Sequence, residues 1–479
     1  MNYPMIRFVL SWVLKVEGLL LLFPCLISVI YQEREGMIYL ALAAAAILMG
    51  ELFSRFRPEN RAIYQKEGFV AVGMAWLLMS FYGAVPFVLT REIPDYIDAL
   101  FEIVSGFTTT GSTILADVEA MSHTSLLWRS LTHWVGGMGV LVFILMLIPA
   151  QNGSHMNLMR AESPGPDVTK FVPRVRNTAI LLYKIYLSMT ICQMLMLLLT
   201  RMPWFDAVCI TFGTAGTGGF GVLNDSCGSY TPLQQGIINF FMIAFGMNFS
   251  FYYLCLCRKP GEAFRLEEIR WYLAIILSSV LLITWDLRFL YRNPFSSLRN
   301  AFFQVGSIMT TTGFTTVDFE QWPSLSRMIL LLLMVIGACA GSTGGGIKVS
   351  RLILAFKSQG QELYQTIHPR SVRKIRMDGR PVSDVTLRTL YAYLVTYVLI
   401  FAVSVLLVSF DEFSFETNFS AIAATLNNIG PGLDAVGPVE NFSKFSILSK
   451  LVMIFDMLAG RLELFPVLVL FYPGTWKRH

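Results

Sequence analysis

Four short stretches carry residue types that could strip the water from a bare cation. Ser105-Gly106-Phe107-Thr108-Thr109-Thr110-Gly111-Ser112-Thr113 returns almost intact as Gly306-Ser307-Ile308-Met309-Thr310-Thr311-Thr312-Gly313-Phe314-Thr315-Thr316. Thr214-Ala215-Gly216-Thr217-Gly218-Gly219-Phe220-Gly221 is a looser copy, and Ala424-Thr425-Leu426-Asn427-Asn428-Ile429-Gly430-Pro431-Gly432 the loosest. Glycine reaches positive φ without steric cost, so successive carbonyls can turn toward one axis. Thr and Ser add oxygens without bulk. One such loop on its own is an ordinary glycine-rich turn. Four in the same context can form a ring of oxygens that replaces a hydration shell, and recurrence in matching segments marks a repeat architecture.

The elements that must hold these loops are apolar. The chain has 479 residues, 54% hydrophobic and 14% charged, with a mean hydropathy of +0.58. That composition excludes an ordinary soluble domain and fits an all-α polytopic membrane protein. Apolar segments near 8–30 and 37–54 predict an N-terminal two-helix hairpin (residues 1–60) outside the repeats; the first reads as a span, not a cleaved leader. Four pseudo-fourfold repeats follow, at 61–160, 161–262, 263–380 and 381–479, arranged around one pore. Each reads as helix, pore helix, loop, helix. The spans predicted for repeat one are 69–90 and 126–148, with a half-helix at 96–107. Repeat two uses 179–199, 204–212 and 234–257; repeat three 271–291, 297–309 and a span from 326; repeat four 387–410, 415–426 and 447–472. Re-entrant backbone is tolerated at membrane depth only where protein or water covers it.

Charge gives the orientation. Basic residues gather between repeats, among them Arg55, Arg57, Arg61 and Lys66; Arg160, Lys170, Arg174 and Arg176; Arg258 and Lys259; and the run from Arg370 to Arg380. Acids gather beside the loops: Asp95, Asp98, Glu102, Asp117, Glu119, Asp318, Glu320, Asp411, Glu412 and Glu416. The positive-inside rule then places both termini in the cytoplasm and the loops outside, with Arg288, Arg292 and Arg299 as an exception. The acids form either a solvated rim or a field that concentrates cations at a pore mouth. The net charge of +5 lies in short loops and does not indicate nucleic-acid binding. His123, His133, His155 and His368 are scattered, so no enzyme site is expected; His133, beside Trp134 on a span, is expected to be a satisfied core or interface residue and not a ligand. Seven cysteines form no disulfide framework.

Two anomalies interrupt the pattern. In repeat three, Gly341-Ser342-Thr343-Gly344-Gly345-Gly346-Ile347-Lys348 follows Gly337 where a helix should continue. Each glycine costs about 1 kcal/mol against alanine in a helix, so the helix must break. The run is not a nucleotide-binding loop, because Lys348 comes one place late and Val349 stands where Ser or Thr is needed. In repeat four, Arg461 lies inside an apolar span. Intramembrane charge points to function; the structural alternative is an ion pair with Asp456 or Glu463.

Together with His133-Trp134-Val135-Gly136-Gly137-Met138-Gly139 and Gly460-Arg461-Leu462-Glu463, these stretches resemble the TrkH branch of the Trk/Ktr/HKT superfamily of potassium transporters. The resemblance runs from the first repeat almost to the C-terminus. It implies K⁺ bound in one single-subunit filter by Thr110, Gly111, Thr217, Gly218, Gly219, Thr312, Gly313, Asn428, Ile429 and Gly430, with Gly218 or Gly219 as the filter glycine of the second loop. It implies a gate made of Gly341, Ser342, Thr343, Gly344, Gly345, Gly346, Lys348 and Arg461. It further implies a homodimer in the inner membrane, lipid contact, a cytosolic RCK/TrkA-type nucleotide-binding regulatory subunit, and no organic cofactor in this chain. Glycine at all four filter positions favours K⁺, since serine in the first loop of plant relatives goes with Na⁺. A less selective K⁺/Na⁺ transporter or a cation-coupled symporter is the alternative. A secondary transporter with inverted repeats would lack four half-helices in one orientation, and a tetrameric channel would carry Thr-Val-Gly-Tyr-Gly, which is absent here.

Overall fold

The structure, a computed structural model, describes residues 1–55, 58, 64–139, 175–291, 293–371 and 373–476. Expected features at 140–148, and Arg57, Arg61, His155, Arg160, Lys170, Arg174 and Arg292, lie outside the described residues. Among the described residues, six helical segments are long and apolar enough to cross a membrane: Tyr3–Tyr31, Gly36–Ser54, Lys66–Leu89, Ile180–Leu199, Glu267–Phe289 and Asp384–Asp411. The first two form the N-terminal hairpin and the other four open the repeats. A multi-span membrane protein follows. The one departure from an all-α chain among the described residues is a two-stranded ribbon, Arg376–Met377 against Arg380–Pro381.

Four half-helices stand behind the loops: Tyr96–Phe107, Trp204–Gly216, Pro294–Met309 and Phe415–Leu426. Their starts are written in the chain. Asp95 Oδ1 accepts from Ile97 N–H at 2.8 Å and Asp98 N–H at 3.1 Å; Asn293 and Ser414 cap the third and fourth in the same way. Pro203 precedes the second. Removing such a cap costs about 1 kcal/mol. The helices that follow the loops also begin with caps, at Ser122, Thr231 and Ser446, and Thr231 with Gln234 makes a reciprocal capping box.

All four of these later helices end or break at one level, beneath the loops. The sequence predicts a break in repeat three alone. There the helix runs Ser324–Ile336 and resumes at Val349–Ile367. In repeat two, expected as one span over 234–257, Pro232–Phe245 and Phe249–Leu256 meet at 92°. In repeat four, expected as one span over 447–472, Ile447–Arg461 ends in a turn where Glu463 and Leu464 take φ of 55° and 68°, before Phe465–Phe471. Repeat one ends its helix at Met138, with Gly139 at φ 83°. No glycine run marks repeats two and four. Gly246 and Asn248 mark the first break, with Asn248 capping the new helix by accepting from Ser250 N–H at 2.8 Å; Pro466 starts the second new helix.

The N-terminal hairpin docks on repeat one. Tyr39 and Ser125 share a hydroxyl hydrogen bond of 2.9 Å. Glu33 accepts from the N–H of His123 at 2.8 Å and of Thr124 at 2.9 Å, which ties the hairpin loop to the start of the helix behind the first filter loop. Phe107, Trp128, Phe220 and Phe314 fill the space around the loops and are fully buried, holding them by close van der Waals packing.

Candidate functional site

Each half-helix ends in the same hydrogen-bonded cap. Thr109 N–H donates to Gly106 O and Thr110 N–H to Ser105 O, at 3.1 and 2.9 Å. The pairs Thr217/Gly218, Thr311/Thr312 and Asn428/Ile429 repeat this bonding onto their own helices, at 2.8–3.3 Å. This is the Schellman closure, which requires a left-handed residue. Here that residue is Thr109, Thr217, Thr311 or Asn428, with φ of 55–57°. A side chain in a sparsely populated region costs of order 1–3 kcal/mol, so the surroundings must hold these four in place.

Two residues later the chain turns left-handed again, at Gly111, Gly219, Gly313 and Gly430, with φ of 83°, 81°, 85° and 107°. The second loop is therefore in register with the others at Gly219, and Gly218 corresponds to Thr110, Thr312 and Ile429. A Cβ on Gly111 would fall under 3.0 Å from Gly218 O, one on Gly219 equally close to Thr312 O, and one on Gly313 to Ile429 O. A Cβ on Gly430 would meet Thr110 O at 3.1 Å. The loops thus close in the order one, two, three, four, one. Glycine is required for its φ and for its missing Cβ. The last seam is the loosest, and is bridged by Ser112 Oγ donating to Gly430 O and Asn428 Nδ2 to Thr110 Oγ1, each at 2.9 Å.

Below the ring, past the last helical bond from Gly337 N–H to Leu333 O at 3.2 Å, no backbone N–H from Ala338 to Lys348 bonds the carbonyl four residues back. Gly345 N–H donates to Thr311 Oγ1 at 2.6 Å, so the left-handed threonine of loop three holds the segment beneath it. Cys339 N–H donates to Gly246 O at 3.1 Å, at the break in repeat two. Lys348, at φ 79°, donates its ammonium back to Gly344 O.

Arg461 joins three repeats. Its Nη1 donates to Thr343 O at 2.8 Å and to Thr109 Oγ1 at 3.2 Å; its Nη2 donates to Gly136 O and, at 2.7 Å, to Gly137 O. Of the two acids considered from the sequence, Glu463 pairs with Arg351, and Asp456 accepts from Ser404 Oγ at 2.8 Å. His133 is satisfied on both nitrogens, with Nδ1–H donating to Gly106 O at 2.7 Å and Nε2 accepting from Phe220 N–H at 3.2 Å. That pattern needs the neutral Nδ1–H tautomer.

Two carboxylates escaped sequence reasoning. Glu268, in the first turn of the helix opening repeat three, accepts on Oε1 from Ala340 N–H at 2.7 Å and Ser350 N–H at 3.1 Å, so one oxygen holds both flanks of the broken segment. Glu102, grouped above with the rim, is instead wholly buried and paired with Arg129. Other rim acids tie the outer loops together: Asp117 and Glu119 hold Asn224, Asp98 pairs with Lys450 at 2.5 Å, and Glu320 accepts from Asp434 N–H at 2.7 Å. Hydroxyl hydrogen bonds from Ser414 and then Thr417 hold the Asp434 carboxyl below the usual carboxylate range.

The family model described as "TrkH: Cation transport protein" matches residues 36–291 and 266–477. The Trk system potassium uptake protein TrkH of Salmonella typhimurium is 36% identical over 476 residues, covering 97% of each chain. That of Escherichia coli K12 is 35% identical over 468 residues, 95% of this chain and 96% of the relative. The crystal structure of the potassium transporter TrkH from Vibrio parahaemolyticus superposes with a TM-score of 0.88 at 29% identity, covering 100% of both chains.

Proposed function

The chain belongs to the TrkH family of cation transport proteins, and on that footing we propose that it carries K⁺ into the cell through its four-loop ring. The observation that carries this reading is the closure of four equivalent loops, each filter glycine packed on the next loop's carbonyl. A K⁺ ion entering such a ring exchanges its water for carbonyl oxygens, those of Thr110, Gly218, Thr312 and Ile429 first, with Gly111, Gly219, Gly313 and Gly430 supplying the turns. Four half-helix C-termini face the same region, each with about −0.5 of a charge, and together they favour a cation over an anion.

On the same reading the segment from Gly341 to Gly346, Lys348 and Arg461 form the gate. Arg461 adds a fixed positive charge under the ring, repelling K⁺ while the gate is shut. Withdrawing the segment breaks the hydrogen bonds from Arg461 to Thr343 and from Gly345 to Thr311 together. The protein sits in the inner membrane with both termini cytoplasmic, as the charge distribution favours. It works as a homodimer, and a cytosolic RCK/TrkA-type nucleotide-binding subunit reads the basic stretch Arg370–Arg380 and moves the helix after Lys348.

The test is ion flux into proteoliposomes across K⁺, Rb⁺, Na⁺ and Cs⁺, with and without the regulatory subunit recovered by pull-down. K⁺ and Rb⁺ flux well above Na⁺, raised by the subunit with its nucleotide, is expected. Equal K⁺ and Na⁺ flux removes the K⁺ assignment and favours the unselective alternative; full, nucleotide-insensitive flux from the pure chain removes the required subunit.

A further inference from the structure

Behind the first filter loop lies an ion pair that, among the described residues, has no counterpart behind the other three. Glu102 sits mid-way along the first half-helix and Arg129 on the helix that follows the loop; their side chains are 0% and 2% exposed. Arg129 Nε and Nη2 both donate to Glu102 Oε1, at 2.8 and 2.7 Å. The same carboxylate accepts from Thr113 Oγ1 and Ile114 N–H, each at 3.0 Å, which are the residues leaving the filter. The other face of the guanidinium lies 4.0 Å from the Phe220 ring centroid in the second loop. One turn further along the Arg129 helix, the His133 ring packs on Phe220 at 4.2 Å and fills the space a Cβ on Gly218 would need. One helix face thus grips two adjacent filter loops. Counted back from each filter glycine, the places matching Glu102 hold Ile210, Gln304 and Ala421.

A buried ion pair is a poor way to gain stability, because an apolar replacement of similar volume is often as good. It is a good way to fix distances, since charge-assisted guanidinium–carboxylate contacts are short and directional, and here Glu102 Oε1 takes both donors of Arg129 while Oε2 takes Thr113 and Ile114. The first loop also borders the loosest seam of the ring, toward Gly430. We propose that Glu102 and Arg129 are positioning residues for ion discrimination: they set the first and second loop carbonyls at the spacing that distinguishes K⁺ from Na⁺. This rests on the proposed transport function and names a determinant of its selectivity.

The experiment reconstitutes the full chain with E102Q, E102D, R129K and the double change E102Q/R129M, and measures the K⁺/Na⁺ flux ratio per folded molecule. E102Q and R129K are expected to lower the ratio by about tenfold, the scale of one lost charge-assisted hydrogen bond, with E102D recovering part of it. E102Q/R129M should stay low, since neutrality is restored but the grip is not. Recovery of the double variant to the wild-type ratio would assign the effect to the lone guanidinium charge and overturn positioning. Wild-type ratios in E102Q and R129K would overturn it too; should E102Q not fold, R129K and E102D decide alone. A wild-type chain that does not discriminate would instead sink the function reading itself.

Discussion

The four loops proposed as the filter and the Gly337–Lys348 segment proposed as the gate are both glycine-rich, irregular backbone, yet they are held differently. Each filter loop bonds its left-handed corner to carbonyls of its own half-helix, three and five residues back. The proposed gate segment, besides bonds of its own from Ala338 N–H to Gly345 O and from Lys348 to Gly344 O, borrows partners: Gly246 O from repeat two, Thr311 and Glu268 from elsewhere in repeat three, and Arg461 from repeat four. Local closure gives a loop one arrangement, because nothing distant has to move for its bonds to stay made. Borrowed closure gives a segment two, since a shift of any lender releases it.

The largest expected effect breaks the filter half of this contrast. G219A puts a methyl against Thr312 O and also strains a φ of 81°, so K⁺/Na⁺ discrimination should fall by at least about tenfold, overpacking of this kind costing roughly 1–3 kcal/mol. G430A meets Thr110 O at 3.1 Å and should lose clearly less. Competition flux in proteoliposomes ranks the two; equal losses would mean that the ring is not closed in this order.

Next comes the gate. R461A removes hydrogen bonds to Thr343, Thr109, Gly136 and Gly137. Charge-assisted bonds contribute about 1.5–3 kcal/mol each, so basal flux per folded molecule should rise tenfold or more in order of magnitude while the K⁺/Na⁺ ratio stays put. A changed ratio would show that filter and gate are one mechanical unit.

The smallest effect sharpens the comparison. E268Q keeps the shape but weakens the shared acceptor of Ala340 and Ser350 N–H, by about 1 kcal/mol. Amide hydrogen exchange should speed up severalfold across residues 338–350 and leave the four Schellman amides unchanged. Faster exchange at Thr110 or Thr312 would refute independent closure.

Much of this was legible in the residues. The bounds of the half-helices 96–107 and 415–426 follow from Asp95, Ser414 and the loops that end them, and the break in repeat three from its glycines. The register at Gly219 was not legible, because Gly218-Gly219 offers two residues with the same freedom; only the left-handed φ of Thr217 and Gly219 separates them. The breaks in repeats two and four were hidden because a helix can be ended by what it packs against, without any local signal as strong as a glycine run. Glu102 was misjudged, and Glu268 passed over, for a related reason. Spacing along the chain shows which acids lie near a helix start, and only the packed structure shows which of them face a guanidinium or a pair of orphan amides.

Arg461 stands close to the C-terminal end of the chain, in the same repeat as Gly430. During synthesis the first three loops can each finish their own corner as they emerge, while the ring stays open at the seam that the fourth must fill. Arg461, the proposed latch of the gate, is made only about thirty positions later. On that proposal a partly made protein has no completed pore to leak through, and the insertion step that completes the ring also delivers its lock. Truncation before the fourth repeat should yield a silent protein, and a chain whose repeats were reordered to make the fourth one early would lose that safeguard.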